Sequence, residues 1–150
     1  MNTVKHWKDS NSQQSPKKRS RFWSNPSLTA VFLATLVATY LDLFFVGKDI
    51  YRFPMRLMKD TFSINIAFTL GVLPVLVFLF LQAMNQVNRW GKVGLILFIS
   101  LLMPIFEKFA EVIGWFEHTK NWKHLYTFFG YLLFLTMIYL FYTWMEKRKD

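Results

Sequence analysis

VGLILFISLLMPIFEKFAEVIG, residues 93–114, is the stretch that decides the fold. It opens as a run without a charge and closes with Glu107, Lys108 and Glu111. At ~1.5 Å per residue, such a run crosses the ~30 Å hydrocarbon layer of a bilayer as a helix. Three further runs of similar length, 28–46, 62–83 and 125–145, surround it with short connections. In lipid every backbone N–H and C=O must bond within its own segment, so these runs are predicted as helices despite their many Phe, Val and Ile residues. The predicted fold is all-α: a polytopic transmembrane bundle of four helices, its membrane domain spanning 28–145.

Composition agrees. The 150 residues are 53% hydrophobic with 17 Phe and 6 Trp, more than a soluble domain of this size can bury, and lipid is the environment that absorbs the excess. A net charge of +9 would suggest nucleic acid in a soluble protein. Here the positive residues gather at the chain ends and in the short loops, which is a topology pattern; no nucleic-acid partner is expected. The absence of cysteine removes disulfides, thiolate metal sites and cysteine nucleophiles.

Residues 1–27 read as a disordered basic tail, with Lys5, Lys8, Lys17, Lys18, Arg19 and Arg21 against the single acid Asp9. The following apolar run is too long for a signal peptide and lacks a small-residue cleavage site, so the first helix is expected to stay attached. Lys147, Arg148 and Lys149 give 146–150 a second basic end. Trp23, Trp90, Trp115, Trp122 and Trp144 fall at the edges of the runs, where an amphipathic ring favours the headgroup level. The loop DIYRFPMRLMKD, 49–60, mixes apolar and basic residues and is predicted to lie along the membrane surface.

With both ends inside, eleven Lys and Arg fall on the inner segments and six on the outer ones, so the positive-inside rule puts both termini in the cytoplasm of a cell membrane. Within the runs the only charges are Asp42, Glu107, Lys108 and Glu111. A mid-bilayer charge costs about 2.5–3.5 kcal/mol on insertion scales, whereas each large apolar residue returns about 0.3–0.6. Ten such residues between 93 and 106 offset one or two charges, not three, so these groups must pair, sit near an interface or face a wet cavity.

Helical spacing places Ser100, Pro104, Glu107 and Glu111 on one stripe, Thr35, Thr39 and Asp42 on another, and Asn65 with Thr69 on a third. Helix direction puts Asp42, Asn65, Glu107, Lys108 and Glu111 toward the outer ends. The expectation is an extracytoplasmic acidic cup rimmed by Arg52, Arg56, His118 and His124. Its formal charge of −2, from three carboxylates and Lys108, calls for a proton, a loop arginine, or a bound cation or cationic ligand. Lys108 is the first partner expected for Asp42. Pro104 also frees the carbonyl of Ser100 on the same stripe.

The spacing of His118 and His124 matches no strong ligand motif, so no metal ligand and no cofactor are predicted. Nor is there a nucleophile elbow, a glycine-rich phosphate loop or an HExxH motif to support catalysis. The leading reading is a membrane protein whose outer-leaflet cup binds a proton, a cation or a small cationic ligand. Two alternatives stand beside it: a structural or accessory subunit whose intramembrane charges only hold helices or a partner together, and a membrane enzyme acting on a lipid or isoprenoid. The expected partners are the lipid bilayer, anionic lipid at the basic tail, and a membrane-protein partner or second copy of the chain.

Three strings, TYLDLFFVGKDIYRFP (39–54), FSINIAFTL (62–70) and LLMPIFEKFAEVIGWFEHTKNWKHLYTFFGY (101–131), resemble a family of small multi-helix membrane proteins from spore-forming Gram-positive bacteria of the Bacillus and Clostridium type. The likeness spans roughly 39–145. The family has no assigned activity. The resemblance therefore implies a cell-membrane location and carries over no functional residue.

Overall fold

The computed structural model describes residues 25–119 and 122–148. The basic tail before residue 25, with Trp23 and its expected lipid contact, lies outside the described residues, as does Lys149.

Helix α1, Pro26–Gly47, starts where the Asn25 side chain accepts the Ser27 N–H at 3.1 Å and Pro26 fills a first-turn position that needs no donor. It therefore takes in the last two residues assigned to the tail. Hydropathy marks where side chains turn apolar; the cap marks where hydrogen bonding begins. Helix α3, Arg89–Val112, likewise begins four residues before the apolar run, because the Asn88 side chain caps the Gly91 N–H at 2.8 Å. Helix α4 covers His124–Lys147.

The second span departs most from the prediction of 62–83. Phe62 stays in the loop, where its carbonyl accepts from Arg56 Nε at 2.6 Å, and the side chain of Asn65 accepts the Phe68 N–H at 3.3 Å. A π-helical turn, Phe68–Val72, then leads into α2, Leu73–Gln86. Pro74 is the physical cause: with no N–H it cannot bond the carbonyl four residues back, and a wider turn relieves the mismatch.

Helix α1 packs against α2 and α4, and α4 against α3. Ala30 and Ala34, one turn apart and fully buried, join Leu81, Met84, Leu135 and Ile138 in the core. Such small residues let helix backbones approach closely without a hydrophobic drive from water. At the end of the bundle where α2 closes, Asn85 Nδ2 donates to Tyr142 Oη at 2.8 Å, and Tyr142 donates to Glu146 at 2.8 Å.

Outside this thin core the helices are apolar to their surroundings. Only 11% of the apolar window of α1 and of α3 is buried by the rest of the chain, and Phe32, Phe98, Ile105 and Leu133 point away from it. Water does not tolerate an apolar surface this continuous; lipid requires it. Among the described residues four helices are long and apolar enough to cross a membrane, and the chain is a membrane protein of the expected all-α bundle class.

One feature was not expected. The first and third loops pair as a two-stranded antiparallel ribbon, β1 (Tyr51–Arg52) with β2 (Glu117–His118), Tyr51 opposite His118 and Arg52 opposite Glu117. Thr119 extends it by donating its N–H and its hydroxyl to the Ile50 carbonyl at 3.1 and 3.2 Å. Beyond β1 the first loop leaves Met55, Leu57 and Met58 exposed, an apolar edge at the end of the bundle.

Candidate functional site

Two polar clusters meet at this ribboned end. The first centres on Asp42, near the close of α1. Tyr51 Oη donates to its Oδ1 at 2.6 Å, and the buried Thr69 hydroxyl, on the π turn, lies 3.0 Å from Oδ2 and 3.1 Å from the Asn65 carbonyl. Asp42 is thus answered by two hydroxyls and not by Lys108. Asn65 caps a helix start and offers its carbonyl to Thr69. Burial above all, and then the Asp42 carboxylate, hold the Tyr51 phenol well above its ordinary range. Tyr51 therefore acts as a fixed donor.

The second cluster centres on Glu107. Gly114, in the left-handed region at φ 75°, ends α3, with its N–H on the Glu111 carbonyl at 3.0 Å and that of Trp115 on the Ala110 carbonyl at 2.9 Å. This reversal turns the chain back into β2 and delivers His118 to Glu107, eleven residues earlier. His118 Nε2 lies 3.0 Å from Glu107 Oε1, and His118 Nδ1 lies 2.9 Å from Glu111 Oε1. His124, the first residue of α4, places Nδ1 3.0 Å from the same Glu107 oxygen. Trp122 Nε1 donates to that oxygen at 3.1 Å, and the Thr127 hydroxyl donates to Glu107 Oε2. The Glu107 and His118 side chains are only 10% and 9% exposed, whereas His124, at 43%, reaches the surface.

Three of the four rim residues behave differently from expectation. Arg52 pairs with Asp49 at 3.0 Å on the surface, and Arg56 holds the carbonyls of Phe53, Lys59 and Phe62, so neither arginine answers the acidic groups. His118 is not at a rim but inside. Lys108 reaches outward and pairs with Glu111 Oε2 at 3.2 Å. Ser100, two turns before Glu107 on the same stripe, is fully buried, and its hydroxyl has no hydrogen-bond partner among the described residues.

Rings close over the two clusters. Tyr51 and Phe116 lie 5.0 Å apart between centroids, Phe116 and His118 5.5 Å, and His118 and Trp122 6.1 Å. Trp122, expected as an interfacial anchor, spends its indole N–H on Glu107 instead, whereas Trp90, Trp115 and Trp144 stay exposed near helix ends. Sequence reading missed the parts played by Tyr51, Trp122 and Thr127. For Trp122 the signal was its place between His118 and His124; for Thr127 it was the helical spacing from His124.

The donor and acceptor count is decisive. An imidazole between two carboxyl groups needs a hydrogen or a cation in each contact, because a bare ring nitrogen facing a bare carboxylate oxygen is two acceptors in contact. Nδ1–H satisfies Glu111. The contact between Nε2 and Glu107 then needs a proton, carried by either atom, or a cation shared between them. The donor atoms of Glu107, His118 and His124 all lie within 4.8 Å of one another, the spacing of a metal-ligand set, although the sequence had suggested no metal.

Compared with protein-family models, with curated proteins and with solved structures, the chain matches none.

Proposed function

We propose that this chain is a cation-binding integral membrane protein of a bacterial cytoplasmic membrane, with both ends in the cytoplasm and the Glu107 cluster at the outer face. The observation that carries the binding reading is His118 held between Glu107 and Glu111, an arrangement in which a proton or a cation must lie between Nε2 and Glu107. The orientation rests on the distribution of Lys and Arg, and the location on the resemblance of three strings to small membrane proteins of spore-forming bacteria. The Asp42 cluster supports the accessory-subunit reading only for itself: both carboxylate oxygens are satisfied within the chain, which is how a structural tie between α1, β1 and the π turn behaves.

A ligand that binds only the folded state raises its stability, by about 2.7 kcal/mol at a hundred times its dissociation constant. Thermal unfolding of the purified protein in detergent, across pH and a panel of monovalent and divalent cations, should therefore show one stabilising cation or a protonation step, and Glu107→Gln should abolish the response. A protein whose unfolding ignores both pH and every cation would sink the reading. Orientation is tested separately with Arg52→Cys and Asn88→Cys, the only thiols in their chains. An impermeant maleimide on intact cells should label the first and spare the second, and the reverse pattern would put the cluster at the cytoplasmic face.

A further inference from the structure

Resting on that reading, we infer that the cation is a transition-metal dication of the Zn2+ class, bound by Glu107 from α3, His118 from β2 and His124 from the start of α4. Glu107 Oε1 stands 3.0 Å from His118 Nε2 and 3.0 Å from His124 Nδ1. Ligands at ~2.0–2.1 Å around a tetrahedral ion are about 3.3 Å apart, so only small side-chain shifts admit the ion. Two imidazoles and one carboxylate select against Mg2+ and Ca2+, which take oxygen ligands, and the absence of cysteine leaves a nitrogen and oxygen set.

The surroundings match what holds such an ion. Glu111 takes Nδ1–H of His118 from behind, fixing the ring and the tautomer that frees Nε2 for the metal. Trp122 and Thr127 orient the two oxygens of Glu107 in the same way. Three protein ligands leave a fourth position for water or a substrate, the arrangement of reactive rather than purely structural zinc. His124 also lines a shallow surface groove of about 500 Å3 with Pro104, Ile105, Lys108, Phe109 and Val112.

The test uses the full-length, untagged protein in detergent, stripped with a chelator and dialysed. Elemental analysis and titration with Co2+, read by its visible absorption, should give one ion per chain with a tetrahedral spectrum, displaced by Zn2+. His118→Ala, His124→Ala and Glu107→Gln should each weaken binding at least ~100-fold and Glu111→Gln about 10-fold, with Arg52→Ala unchanged. Because an alanine variant can misfold, each is checked by circular dichroism, and His124→Cys, which keeps a zinc ligand, should restore stoichiometric binding. Stoichiometric binding that survives both histidine substitutions, or a response only to protons, Mg2+, Ca2+ or monovalent ions, overturns the metal assignment while the cation reading stands. A folded protein that binds no cation and ignores pH overturns both.

Discussion

At the scale of single residues, the polar groups buried at the ribboned end have different tasks. Asp42 is a knot: Tyr51 and Thr69 bring donors to both of its oxygens from two other elements. Hydrogen bonds to a charged group are worth about 1.5–3 kcal/mol, so Tyr51→Phe should lower unfolding free energy in detergent by that amount without changing cation affinity. The pH dependence has a definite sign. Folding raises the Tyr51 phenol above its ordinary value near 10, so only the unfolded chain ionises as pH climbs past that value, and this contribution to stability is present below it and lost above. Unfolding measured between pH 8 and 11 should show that loss in the wild type and a shallower one in Tyr51→Phe. Glu107 has a different task, since its partners include two rings that are themselves ligands.

At the scale of elements, caps and turns set the site more than the apolar runs do. The end of α3 is the clearest case. Gly114 adopts φ 75°, a conformation that costs a residue with a Cβ about 1–2 kcal/mol, and space around it is open, so the cost is conformational and not steric. Gly114→Ala should therefore destabilise the protein by about 1 kcal/mol, and because the same turn aims β2, it should also loosen cation binding; calorimetric unfolding and the titration read the two effects. The runs 93–114 and 125–145 were legible because hydrophobicity over twenty residues is a strong signal. The starts of α1 and α3 were not, since Asn25 and Asn88 act through one hydrogen bond each and leave hydropathy unchanged. The π turn before Pro74 was hidden for the same reason: a proline announces a missing donor but not which way the backbone yields.

At the scale of the whole molecule, the ribbon between the first and third loops gathers the site. It sets Tyr51 opposite His118, and so links the Asp42 cluster to the Glu107 cluster across residues far apart in sequence. A cysteine at Arg52 and another at Glu117 test it in a chain with no other thiol. Directly opposed antiparallel residues stand about 4.5–5.5 Å apart at Cα, within the ~4.4–6.8 Å that a disulfide spans. Mild oxidation of Arg52→Cys/Glu117→Cys should give an intramolecular crosslink in nearly every molecule, seen as a mass loss of two hydrogens, whereas unpaired loops would leave free thiols.

The sequence by itself determined the class of fold and the presence of four long apolar helices, because lipid imposes length, apolarity and internal hydrogen bonding on any segment that crosses it. It also brought Asp42, Glu107 and Glu111 to one end, since helix direction alternates. The tertiary structure decided which partner each charge takes. Arg52 and Arg56 are spent on Asp49 and on loop carbonyls, Lys108 turns outward to Glu111, and His118 enters between two carboxylates. Those choices depend on a glycine turn, a two-residue ribbon and one capped helix start, each fixed by short-range geometry between segments distant in the chain. Hydrophobic periodicity is blind to such geometry, and so a set of ligands spaced eleven and six residues apart becomes a site only when the loops close.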